Sequence, residues 1–276
     1  MIVTTTAPRD TVRAALDRLI DYAGLFPPAE LSMSDALSQY ERAREGGASW
    51  MLSRFIVPAT RLHELQQSLE KTRARLELSV IAAPDAFELL QRIRSEDWAT
   101  IASVEVPLGN ASVGECAERA RDAGFLDLPI FVELPRAQRA MAELAAHGLA
   151  AKLRCGGVEP SAYPGTGDVA AFIDEAVAAG VPFKATAGLH HPVRHFNEGA
   201  GVTMHGFLNL LVAAERAGSV DRGELEAIVA QEDPAQLTLA DETALRRARE
   251  RFVSYGSCSF EEPVEDLRAL HLLSAS

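Results

Sequence analysis

Cysteine is scarce in this chain: Cys116, Cys155 and Cys258 are the only three, far apart and without a CxxC pair. An odd count at that spacing excludes a disulfide framework and a cysteine-built zinc site, and a reducing cytoplasm is the expected home. Long apolar runs are missing too. None approaches the roughly 20 residues that span a bilayer, and residues 1 to 8, MIVTTTAP, lack the basic start and apolar stretch of a secretory signal. A soluble, non-exported protein is expected. Positive charge is in deficit, with 27 Lys and Arg against 39 Asp and Glu and a net charge of −12. Nucleic acids and anionic membranes both demand a basic face, so neither is expected as a main partner. No Pro- or Ser-rich linker and no low-complexity stretch divides the chain, so one domain over 1–276 is expected. Whether it forms a homo-oligomer stays open.

What is present is a period. Short apolar runs lie at 19–26, 50–58, 76–84, 101–108, 129–135, 149–156, 181–188 and 252–259. Between them stand segments with helical spacing, such as SMSDALSQYERAREG, AFELLQRIRSEDW, GECAERARDAG, RAQRAMAELAAHG, DVAAFIDEAVAAG and FLNLLVAAERAG. Several close on Gly124, Gly148, Gly180 or Gly218, the residue that a left-handed helix terminus favours. Eight strand-then-helix units in a chain that is 47% hydrophobic predict an α/β fold, the (β/α)8 TIM barrel. A doubly wound open sheet would carry GxGxxG after its first strand, and this chain has none. Residues 193–250 exceed what one helix needs. They are expected to form an insertion or lid between strands seven and eight, over the barrel mouth, with further helices in GELEAIVA and DETALRRARERF.

In such a barrel the chemistry sits at the carboxyl ends of the strands. With a period of two, Lys152 and Arg154 share one face of strand six, and Lys184 and Thr186 one face of strand seven. Glu105 ends strand four, Glu133 ends strand five, and Asp21 and Arg54 lie on strands one and two. Charges in strands this apolar have nothing to pair with on the helical side. They should face one another in the mouth. A lysine that is desolvated and crowded by a second cation sheds its proton and attacks a carbonyl to form a Schiff base, while carboxylates move the protons. The second lysine would depress the first one's pKa. The same charges would serve equally as an ion-pair network closing the core, so a non-catalytic binding barrel stands beside the enzyme.

The order of these motifs resembles the deoxyribose-phosphate aldolase family. LIDYAGLFPPAELSMSDALSQYERAREGG is similar to the family's opening, an apolar run ending in Asp followed by a Pro-containing loop and a helix. VEVPLGN is similar to its strand with an acidic residue, IFVELP to its glutamate-ended strand and AAKLRCGG to its Schiff-base strand. FKATAGLHH resembles its second-lysine strand and YGSCSF its Gly-Ser-Ser phosphate loop. The resemblance touches most of the chain through short motifs. It implies a class I, cofactor-independent carbon-carbon lyase in which Lys152 forms the imine, Lys184 lowers its pKa, Glu105 takes the acid/base place and Asp21 supports it. Three departures stand out: Glu105 where the family has Asp, Leu153-Arg154-Cys155 in place of small hydroxylated residues, and Ala187-Gly188-Leu189-His190 where it has a Gly-Gly-Ile-Arg-like end. Arg154 in such a mouth points to an anionic group on the substrate, because guanidinium binds carboxylate or phosphate bidentately. The expected substrate is therefore a small carboxylated or phosphorylated carbonyl compound, not deoxyribose phosphate in particular.

The loops after strands seven and eight often hold phosphate in TIM barrels. Here they are TAGLHH and YGSCSF, which make Gly188, Gly256 and Ser257 candidate substrate contacts alongside Arg154, Glu133, Arg54, His190 and His191. The histidines open an alternative. His190, His191 and His195 with Glu105 or Glu133 would suit zinc, manganese or iron in a metal-dependent isomerase, lyase or hydrolase. Against it, His190 and His191 are neighbours in an extended segment, so their side chains diverge, and the first strand carries no HxH. Neither metal nor cofactor is expected, and one of the two histidines is a candidate general acid or anion contact. Trp50, Met51, Phe55, Phe207, Leu208, Cys155 and Cys258 are expected in the core.

Overall fold

Every one of the eight apolar runs becomes a strand of one closed barrel. A computed structural model describes residues 9–69, 75–96, 98–135 and 140–274. Its strands are β1 (Ile20–Tyr22), β2 (Leu52–Pro58), β3 (Leu76–Ile81), β4 (Ala99–Pro107), β5 (Ile130–Glu133), β6 (Ala150–Arg154), β7 (Phe183–Thr186), β8 (His195–Asn197), β9 (Val202–Met204) and β10 (Phe252–Ser257). The barrel runs β1-β10-β7-β6-β5-β4-β3-β2 and all its pairings are parallel. β8 and β9 stand apart as an antiparallel hairpin. The fold is the α/β TIM barrel.

The shell is built from α1 (Arg9–Leu16), α2 (Met33–Glu45), α3 (Leu62–Leu69), α4 (Phe87–Arg94), α5 (Val113–Asp122), α6 (Met141–His147), α7 (Thr166–Ala178), α8 (Phe207–Arg216), α9 (Arg222–Ala230), α10 (Glu242–Arg251) and α11 (Glu261–Ala269). Local chemistry starts and stops them. Ser112 and Glu115 form a reciprocal capping box at the head of α5, and Asp221 and Asp241 cap α9 and α10. Gly124, Gly148, Gly180 and Gly218 take φ between +67° and +82°, the left-handed geometry that ends a helix without a Cβ clash. Residues 1–8 and the head of the RAQRAMAELAAHG segment, 136–139, lie outside the described residues. No helix among the described residues is long and apolar enough to cross a membrane.

The helices expected over the mouth instead pack in the shell. α8 is buried all round from Phe207 to Ala214, held between β10, α9 and α10; α9 also packs on α7, and α10 on α1. The stretch from Leu189 to Gly206, which carries the hairpin, follows β7, and its His190 and His191 meet Glu262 and Asp266 of α11. Asn209 ties it down, accepting from Arg194 N at 2.9 Å and donating to the carbonyls of Ile228 and Gln231. Asn209 is therefore a buried tether and not a group of the mouth.

Alternation along the strands divides two chemistries. Outward residues carry the aromatic load: Phe55 packs edge-on to Tyr40 of α2 at 5.4 Å, Phe183 stacks on Phe252 at 5.2 Å, and Tyr255 on Phe207 of α8 at 4.8 Å. Inward, where such barrels usually hold branched aliphatics, the buried residues include Asp21, Ser79, Ser103, Glu105, Lys184 and Ser254. Charges in that setting must find partners or forfeit several kcal/mol.

Candidate active site

The inward charges form one line of alternating sign. Lys184 Nζ donates to Asp21 Oδ2 and to Glu105 Oε1, both at 2.6 Å. Lys152 Nζ lies 2.9 Å from Glu105 Oε2 and 3.1 Å from Glu133 Oε2, and Arg154 Nη1 reaches Glu133 Oε1 at 3.4 Å. Strand register brings them together: Glu133 stands beside Lys152, and Lys152 beside Lys184. Side-chain exposure rises along the line, from 0% at Asp21, Lys184 and Glu105 to 4% at Lys152, 19% at Glu133 and 52% at Arg154. The deep end is sealed and the Arg154 end is open. Serines complete it: Ser254 Oγ donates to Asp21 Oδ2 at 2.7 Å, Ser79 Oγ to Glu105 Oε1 at 2.7 Å, and Ser103 Oγ to Ser79 Oγ at 2.8 Å. The two lysines differ in how they are held. Lys184 makes hydrogen bonds, whereas the Lys152 contact on Glu105 Oε2 is an ion pair without hydrogen-bond alignment.

Glu105 decides the electrostatics, because one of its oxygens faces each ammonium. Burial alone would push its carboxyl up, but Lys152 and Lys184 outweigh that and hold it well below the ordinary 4.5. Asp21 is likewise held below 3.8, burial being outweighed by Lys184 and Arg54. For Lys152 burial favours the neutral amine, yet Glu105 and Glu133 together win and raise its pKa above 10.5. This corrects the expectation that Lys184 depresses it: a carboxylate lies between the two cations. The sign for stability follows. The support from Glu105 and Asp21 is complete above about pH 4.5 and is lost as the pH falls below it towards their depressed values. The support from Lys152 is complete below pH 10.5 and is lost as the pH rises through its elevated value. Urea unfolding between pH 3 and 6 should accordingly show stability falling most steeply below pH 4.5.

Other expected substrate contacts lie elsewhere. Arg54 is on the inner face two residues deeper than Ile56; its backbone N donates to Asp21 Oδ1 at 3.1 Å and Nη1 lies 3.5 Å from the same oxygen. It is a partner of the sealed end. Gly256 is also inward, inside β10, where an added Cβ would lie 3.1 Å from Ile56 Cδ1 and 3.3 Å from Thr186 Oγ1. Its smallness is a packing requirement, and Gly256→Ala should cost about 1–3 kcal/mol, seen as a lower urea midpoint at constant slope. Ser257, of opposite parity, accepts a long 3.4 Å bond from Ser259 N in its own turn. Gly188 has φ +68°, and an added Cβ would lie 3.0 Å from the Tyr163 ring and 3.3 Å from the Cys155 carbonyl oxygen. It lets the loops after β6 and β7 touch.

The histidines face α11. His190 Nδ1 lies 3.3 Å from Glu262 Oε2 and 3.8 Å from Cys258 Sγ, and its pKa is lowered by burial. His191 Nδ1 pairs with Asp266 Oδ2 at 2.5 Å, and its ring meets that of His195 edge-on at 4.4 Å. His205 is buried with Nε2 on the Pro164 carbonyl. The alternative ligand set is thus not assembled: His190 and His191 pair with α11 and His195 with the Val193 carbonyl while Glu105 and Glu133 pair with lysines, and among the described residues no group of three or more His, Cys, Asp or Glu could hold a metal. Of the candidate core residues, Met51, Phe55, Phe207, Leu208, Cys155 and Cys258 are buried, whereas Trp50 is only partly so.

Sequence reasoning missed the three inward serines, Tyr163, and the acids Glu262 and Asp266 opposite the histidines. It also passed over a signal within reach: the chain has three lysines, Lys71, Lys152 and Lys184, and two of them are inside the barrel. A groove of about 290 Å³ lies outside the barrel between α2 and α11, and none of the charged line borders it. Compared with protein-family models and with curated proteins the chain matches none, so the chemistry of the site rests on its own geometry.

Proposed function

We propose that the barrel is a Schiff-base enzyme, an aldolase-like carbon-carbon lyase or a related imine-forming catalyst, acting on a small anionic carbonyl compound. One observation carries this reading: in the alternating line, Lys152 is the first amine met from the open end. Its ammonium passes a proton to Glu133, the more exposed of its two carboxylates, and the neutral amine adds to the carbonyl carbon. The carbinolamine hydroxyl leaves as water on receiving that proton, and a protonated imine remains. The imine then takes the electron pair of the bond between its alpha and beta carbons as the beta hydroxyl gives its proton to the Glu133 carboxylate. Protonation of the resulting enamine and hydrolysis by water return the amine. A protonated imine carries the same charge at the same place as the ammonium. The carboxylates that hold one therefore hold the other, which is electrostatic preorganisation for the electron sink. Lys184, itself paired with Asp21, keeps Glu105 ionised from the sealed side. The motif order resembling deoxyribose-phosphate aldolases supports the same assignment of Lys152.

A second reading has its own support. Lys152 is only 4% exposed and paired on two sides, as a structural network closing a non-catalytic binding barrel would require. Incubation with a panel of small aldehydes, ketones and oxo acids under cyanoborohydride separates the two by intact mass. The enzyme reading expects one adduct per chain with at least one of them; no adduct with any favours the closed network. The rate carries a further signature. Because Glu133 takes the ammonium proton and returns it within the site, the amount of reactive amine should vary little from pH 7 to 10 although the Lys152 pKa is raised above 10.5. A rise of about tenfold per pH unit would mean that the proton is lost to solvent instead.

A further inference from the structure

We infer that the anionic group of the substrate is a carboxylate directly attached to its carbonyl carbon, as in a 2-oxo acid, and that Arg154 holds it; this rests on Lys152 forming the imine. The ruler is Glu133. Its single carboxylate spans the two cations, with Oε2 3.1 Å from Lys152 Nζ and Oε1 3.4 Å from Arg154 Nη1. The atoms it places against amine and guanidinium are two bonds apart. In a 2-oxo acid the carbonyl carbon and the nearest carboxylate oxygen are also two bonds apart. A substrate of that kind spans the same two cations alongside the Glu133 carboxylate, whereas a phosphate carried one carbon further out overshoots the guanidinium. Arg154 is free to receive it. Its side chain is half exposed, its contact with Glu133 is long, and its planar fork has donors to spare.

The other side of the mouth argues against phosphate. α11, whose head would face a phosphate after the eighth barrel strand, opens with Glu261 and Glu262, so its first turn repels a dianion where such a helix would need to attract one. His190 is paired with Glu262 and His191 with Asp266. Gly256 is packed inside the strand.

Reductive trapping with three probes built on three carbons tests this: pyruvate, uncharged hydroxyacetone and dihydroxyacetone phosphate. Pyruvate should half-saturate the reaction at a concentration roughly 10- to 100-fold below hydroxyacetone, the range of a charge-assisted contact. Arg154→Ala should erase that preference and Arg154→Lys should restore part of it, with melting temperatures showing that both variants fold. The carboxylate assignment falls, and the imine reading survives, if dihydroxyacetone phosphate is trapped as readily as pyruvate or if the preference persists in Arg154→Ala. No adduct with any of the three on the wild-type protein overturns both.

Discussion

Lys184→Met should destabilise the protein by roughly 3–5 kcal/mol, the cost of stripping one partner from a buried ion pair. The side chain is close in length, so little cavity forms. What changes is charge: Asp21 and Glu105, both fully buried, lose the ammonium that touches each at 2.6 Å. Asp21 retains Arg54 at 3.5 Å and Ser254, while Glu105 retains Lys152 and Ser79, so the loss is large without being the full cost of two naked carboxylates. Two further measurements make the cause specific. Adding Asp21→Asn to Lys184→Met removes one of the stranded charges and should recover part of the loss. Acid should also narrow the gap. The wild type loses carboxylate support as the pH falls below about 4.5, whereas the stranded acids of the variant have raised pKa values and gain by protonation, so the two stability curves converge. A loss under about 1 kcal/mol at pH 7 would mean that Lys184 is not a buried ammonium.

Lys152→Met should abolish reductive trapping, a fall of at least roughly a thousandfold, because a covalent nucleophile cannot be replaced by its neighbours. Lys184 cannot take over: it is sealed and bonded to two carboxylates. The variant should lose less stability than Lys184→Met, since Glu105 keeps Lys184 and Glu133 is near enough to solvent to turn away. Lys152→Arg provides the control for charge. It retains a cation between Glu105 and Glu133 and should unfold near the wild-type midpoint, yet form no adduct. Trapping at wild-type rates in either variant would remove Lys152 from the chemistry.

Why so much of the fold was legible can be traced to particular residues. The eight strands announce themselves through short apolar runs, and glycines such as Gly148 and Gly180 mark helix ends by local geometry that needs no tertiary context. The inward lysines follow from alternation, since Lys152 and Arg154 share a face, as do Lys184 and Thr186. Alternation does not say what stands between two lysines on adjacent strands. That Glu105 divides them depends on how far β4 is staggered along the barrel, a property of closure that no short motif carries. The same stagger places Arg54 at the sealed end. Parity within β10 was the other weak point, because Gly256 and Ser257 look alike as loop residues until the strand is seen to continue through them. For His190 and His191 the missing information was long-range: their partners Glu262 and Asp266 lie some 70 residues on, across the next barrel strand.

The position of the reduced adduct tests the role of Lys152 most directly. With three lysines in the chain, digestion of the trapped protein and mass spectrometry of its peptides leave little ambiguity. The adduct is expected on Lys152, within the peptide that carries AAKLRCGG. An adduct on Lys184 or Lys71, with Lys152 unmodified, would contradict it.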